Sequence, residues 1–96
     1  MKNMFTAKIE RFKCVNGWHY VTVPEELVMP LKLQNYMNQF GYIAITAKVR
    51  ISSWDTSIMP MGDKTDFIAL PAKIRKKEKL ALGDEIEVLF ELRVRG

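Results

Sequence analysis

Two long runs with an apolar residue at every second place restrict this chain more than anything else in it. Ile43, Ile45, Ala47, Val49 and Ile51 alternate with Ala44, Thr46, Lys48 and Arg50. Ile86, Val88, Phe90, Leu92 and Val94 alternate with Glu85, Glu87, Leu89, Glu91 and Arg93. Side chains along a strand point to opposite faces in turn, so each run reads as a strand with one dry face and one wet face. Strands of that kind must cover their dry faces, and a sheet curled on itself does so while also removing exposed edges. The 96 residues suffice for one core, so residues 1–96 are expected to form a single domain.

The rest of the chain agrees with a mainly β fold. Phe5, Ala7 and Ile9 alternate with Thr6, Lys8 and Glu10, and Asn16-Gly17 tolerates the positive φ of a tight hairpin turn. Residues 4–13 and 18–23 therefore read as a β-hairpin. Pro24-Glu25-Glu26 suits the start of a helix. Leu33, Met37 and Phe40, with Tyr36 beside them, recur at helical spacing, with Pro30 as an interruption and Gly41 as a stop. A short or broken helix is predicted over 24–40, its apolar stripe turned into the core. Ser52-Ser53 reads as a turn, 54–58 and 67–70 as strands, Pro60 to Asp63 as a loop, and 71–79 as a second helix of one or two turns. The sum is about six strands with two short helices. Strand and helix do not alternate, which disfavours a doubly wound parallel sheet.

Several segments in order look like a known family. They are Phe5 and Ala7 on the first strand, W-x-Y-V-x-V-P at Trp18 to Pro24, W-x-T-S-I-x-P-x-G-D at Trp54 to Asp63, I-R-K at Ile74 to Lys76, and L-x-x-G-D-E-I-E-V at Leu80 to Val88. Their order and spacing resemble the bacterial domain-of-unknown-function family nineteen-oh-five. The resemblance implies a small double-split β-barrel like that of AbrB-like transcription factors. It carries no established activity. Where that family often has G-D-G, this chain has Gly62-Asp63-Lys64.

The chemistry-bearing residues are few. Cys14 is the only cysteine and His19 the only histidine, which allows no internal disulfide and no four-ligand zinc site. No phosphate-binding loop, nucleophile elbow or dinucleotide fingerprint occurs. Asp63 and Asp66, with Ser57 upstream, could do acid–base work or hold a cation, though loop aspartates commonly cap turns. Neither a catalytic residue nor a cofactor is assigned. Lys73, Arg75, Lys76, Lys77 and Lys79 form a basic cluster able to meet phosphates, or simply a solvated helix face with Arg75 paired to Asp84. Lys48 and Arg50 share one face of a strand. Trp18, Tyr20 and Trp54 could stack on a ring ligand but are more readily explained as core fillers.

Net charge is +4, which permits an anionic partner without requiring one. No apolar stretch approaches the roughly 20 residues that span a bilayer, and the first residues lack the apolar core of a signal peptide, so a cytoplasmic location is expected. The leading functional expectation is a non-catalytic binding module for a protein or small ligand, acting as a monomer or weak dimer. Its candidate contacts are Lys73, Arg75, Lys76, Lys77 and Trp54. Nucleic-acid binding through 73–79 is the alternative, and an enzyme comes last.

Overall fold

The computed structural model describes residues 3–13, 17–34, 36–62 and 65–93. In chain order the elements are β1 (Asn3–Lys8), β2 (Glu10–Arg11), β3 (His19–Val23), α1 (Glu25–Leu33), β4 (Ile43–Val49), β5 (Ser52–Pro60), β6 (Asp66–Ala69), α2 (Ala72–Lys77) and β7 (Glu85–Leu92). The strands pair antiparallel in the order β1-β7-β4-β5-β6-β3-β2. β1 and β2 stand at opposite ends of that order, yet only Ile9 separates them in the chain. Residues 3–11 thus act as one strand. Its first part pairs with β7 and its last two residues with β3. This draws the sheet into a nearly closed barrel of six continuous strands, the mainly β architecture that the alternating runs imply. Ile9 is the joint: its N–H donates to Asp84 O at 2.8 Å, and Gly83 N–H donates to Ile9 O at 2.8 Å.

The interior is filled by the apolar face of each strand. Val21, Ile45, Ala47, Ile58, Ile68 and Val88 have no exposed surface. Each large aliphatic side chain buried in this way contributes about 1.5–3 kcal/mol relative to exposure. On the outer side of β3 and β6, Phe12 stacks on Tyr20 with ring centroids 4.3 Å apart and meets Phe67 edge-on at 5.1 Å. Among the described residues, no helix is long and apolar enough to cross a membrane.

Three local expectations are corrected. First, the core takes Val28 and Leu31 from α1, whereas Leu33, Tyr36, Met37 and Phe40 are all exposed. The helix ends at Leu33, so the later apolar residues never share a helical face with the earlier ones. Pro30, which lacks an N–H to donate, falls inside this short helix rather than breaking it. Second, Gly41 (φ 81°) is no helix stop. It belongs to a turn in which the Asn38 side-chain oxygen accepts the N–H groups of Phe40 and Tyr42, at 2.8 and 3.0 Å. Third, the turn expected at Ser52-Ser53 lies two residues earlier. Val49 pairs with Ser52, and Arg50 takes the positive φ of 55° that a two-residue hairpin loop needs. Arg50 therefore leaves the strand face on which Lys48 remains.

Candidate functional site

β5 is the element around which the site is built. β4 lines one of its edges from Ser52 to Ile58. β6 lines the other edge only at Met59 and Pro60 and then diverges. Leu70, Pro71 and α2 border the resulting gap. Leu70 N–H still donates to His19 O at 2.9 Å, so the chain entering the helix remains tied to β3. At its other end α2 is tied to β5 through Glu78, the residue that ends the helix. Glu78 is buried and its carboxylate accepts a hydrogen bond from the Ser52 hydroxyl. Its carbonyl accepts from Arg50 Nη1 at 2.7 Å. Ile74 and Glu78, one helical turn apart, thus form the buried face of the segment, while Lys73, Lys76, Lys77 and Lys79 are exposed.

The predicted basic contacts do not converge on one spot. Lys73 and Lys77 face a hollow of about 370 Å³ with Trp54, Ser53 and Pro71. Trp54 packs against the core, and its indole N–H is a buried donor without an acceptor. Arg75 turns to the opposite side of α2, where its Nε donates to Leu70 O at 3.2 Å. There it borders a larger groove of about 620 Å³ whose lining includes Arg11, Trp18, His19, Thr56 and Met59. Lys76 lies beyond both, beside Arg75 and Leu80. The pairing of Arg75 with Asp84 does not form. Asp84 instead accepts the N–H of Ala81 at 2.9 Å.

The larger groove has the more pointed electrostatics. Among the described residues its lining contains two guanidinium groups, Arg11 and Arg75, and no carboxylate. Arg11 is steadied by a hydrogen bond from its Nε to Gly17 O at 3.3 Å. His19 lines the same groove, and its pKa is lowered below 6.5, first by burial and then by the charges of Arg75 and Arg11. Burial thus does most to favour the neutral imidazole, and the two guanidiniums add to it. One wall is Trp18, 59% exposed. Its expected place in the core is thus overturned. Val21 and Val23 point inward, which puts Trp18 on the other parity with Tyr20 and Thr22. By contrast, the cavity of about 440 Å³ over the outer sheet carries Lys48 and Glu91, whose charges offset each other.

Trp18, Arg11 and His19 are the groove residues that the sequence did not single out as a group. Parity was a signal for Trp18 alone, a tryptophan on the polar face of a strand. Cys14, Asn16, Asp63 and Lys64 lie outside the described residues. Asp66 is not a free loop carboxylate. It is buried and paired with Lys32 Nζ at 3.1 Å. Among the described residues, no three of His, Cys, Asp and Glu are grouped to hold a metal ion.

Compared with known protein families, residues 5–89 match the model of a family described as Domain of unknown function (DUF1905). The match runs from within β1 to within β7 and so takes in the whole groove. No curated protein matches the chain.

Proposed function

The chain belongs to the family Domain of unknown function (DUF1905), and we propose that it is a non-catalytic binding module whose ligand is an anion with a flat apolar part. One observation carries the reading: Arg11 and Arg75 border a single groove that has Trp18 as a wall and, among the described residues, no carboxylate in its lining. A guanidinium presents a planar fork that fits a carboxylate or phosphate. An indole face offers stacking area to a ring or peptide plane. The groove supplies cations, one neutral imidazole and apolar surface, which suits holding an anion rather than transforming it.

The test is calorimetric titration with benzoate and with benzamide, its neutral counterpart of similar shape. Benzoate is expected to bind at about 1 mM or tighter, and benzamide about tenfold more weakly. Trp18→Ala is expected to abolish both while changing stability by less than about 0.5 kcal/mol, as befits an exposed residue. Equal binding of benzoate and benzamide, or none of either, overturns the reading.

The second reading, an AbrB-like barrel that binds nucleic acid, draws on the exposure of Lys73, Lys76, Lys77 and Lys79 around one short helix. Duplex DNA binding that weakens steeply with salt, and less steeply once these lysines are changed to alanine, would favour it.

A further inference from the structure

The two hollows beside α2 share one residue and one wall. Both contain Pro71, and both are bordered by β5: Ser52, Ser53 and Trp54 at one end, Thr56 and Met59 at the other. They lie end to end along the strand. The length of β5 between them, Ser53 to Ser57, has β4 on one edge and no described strand on the other.

The ladder shows which backbone groups face that open edge. Arg93 N–H donates to Ala44 O at 3.0 Å, so Ala44 directs its backbone groups to the β7 side. By alternation Ile45 directs its own to β5, and its partner Thr56 directs its own to β4. The N–H and C=O groups of Ser53, Asp55 and Ser57 therefore point away from β4, towards the gap. An edge of this kind is a template for another strand. At about 3.3 Å per residue the open stretch runs roughly 16 Å, enough for a segment of five residues.

The charges around the gap state what kind of strand would fit. Lys73 and Lys77 border one end, Arg11 and Arg75 the other, and among the described residues neither hollow has a carboxylate in its lining. Asp55, the acidic residue on β5 itself, is held away by the Thr46 hydroxyl, which donates to it at 2.8 Å. A second copy of this chain docked edge to edge would bring these cations against their own equivalents. Building on the anion-binding reading above, we propose that the ligand is an acidic, extended peptide segment of a partner protein. It adds a strand to the open edge of β5, with its carboxylates on Lys73, Lys77, Arg75 and Arg11 and one side chain against Trp18. Main-chain hydrogen bonds supply the affinity, and the two hollows supply the choice of side chains.

The probe is a labelled eight-residue peptide alternating valine and glutamate, followed by fluorescence anisotropy. Three companions accompany it: the same peptide methylated at alternate backbone nitrogens, a valine–lysine peptide, and benzoate. The acidic peptide is expected to bind with a Kd on the order of tens of micromolar, and backbone methylation or lysine is expected to weaken it about tenfold or more. On binding, the amides of Ser53, Asp55 and Ser57 gain protection from hydrogen exchange, whereas those of Trp54 and Thr56, which face β4, do not change. Arg75→Glu weakens the peptide further. Should that variant fail to fold, the methylated peptide on the unaltered protein decides the matter. Equal binding of the methylated peptide, or protection at Trp54 and Thr56 instead, overturns strand addition. If benzoate binds and the acidic peptide does not, the strand proposal falls while the anion-binding reading stands. If neither binds, both fall.

Discussion

The two edges of β5 have little in common. On one, β4 pairs without interruption from Val49↔Ser52 to Ile43↔Ile58, and the side chains beneath, Ile45, Ala47 and Ile58, have no exposed surface. On the other, pairing with β6 stops after Met59 and Pro60, and a six-residue helix borders the space, hung from Ser52 and Glu78. The first edge is a matter of volume: any apolar set of the right size keeps it shut. The second gathers groups the core does not use, namely two guanidiniums, two lysines, an imidazole and an exposed indole. The barrel is thus held together on one side of a single strand and offers its chemistry on the other.

The strongest challenge to this contrast is Ile45→Ala. If the zipped edge carries the stability, the substitution costs about 2–5 kcal/mol in urea denaturation, through lost transfer energy plus a cavity. A cost below about 1 kcal/mol would mean the barrel is held elsewhere. Ser52→Ala comes next. It removes the hydroxyl that serves the buried Glu78 carboxylate, at a cost of about 1–3 kcal/mol. The amides of α2 are then expected to exchange sooner than those of β4, and identical exchange in the two elements would show that α2 is not a separately held piece.

The smallest effect concerns His19. Burial, with Arg75 and Arg11 adding to it, lowers the folded pKa below the ordinary 6.5. In the pH window just under 6.5 the unfolded chain therefore binds more protons than the folded one. The stability conferred by the neutral ring is present above 6.5 and declines as pH falls towards the folded pKa. An anion in the groove opposes the two guanidiniums and raises the pKa, so benzoate should bind more tightly as pH falls through that window. His19 is the only histidine, which makes its ring protons a clean NMR titration. A midpoint at or above 6.5 in the free protein would contradict a groove dominated by cations.

Much of the zipped side was legible in the sequence, because burial on one face writes itself as alternation. β4 and β7 fall within the alternating runs Ile43 to Ile51 and Ile86 to Val94, although β4 stops at Val49 and leaves Ile51 exposed in the hairpin loop. The open side was less legible, for three physical reasons. Burial of Glu78 depends on Ser52, which lies on a different element, and no periodicity announces such a contact. Arg75 and Trp54 are both prominent in the sequence, but they face opposite sides of α2, and a helix of so few turns gives a weak pattern from which to read its faces. Trp18 was hidden by the habit of placing tryptophan inside, although Val21 and Val23 had already assigned its parity to the outer face. In α1 the stripe after Pro30 looked better than the one before it. The chain buried Val28 and Leu31 instead, since the helix stops at Leu33.

The joint at Ile9 also bears on the order of assembly. One strand serves as both the first and the last stave of the barrel, and its longer portion pairs with β7, Asn3 lying opposite Phe90. Contacts so distant along the chain are slow to form, because the loop between them must be closed before any of them is rewarded. Until β7 arrives, β4 has one bare edge backed by an apolar face, the kind of edge on which chains stick to each other. The ring is therefore most vulnerable in the interval between making its middle and sewing its seam, and the stability of the finished barrel offers no protection during that interval.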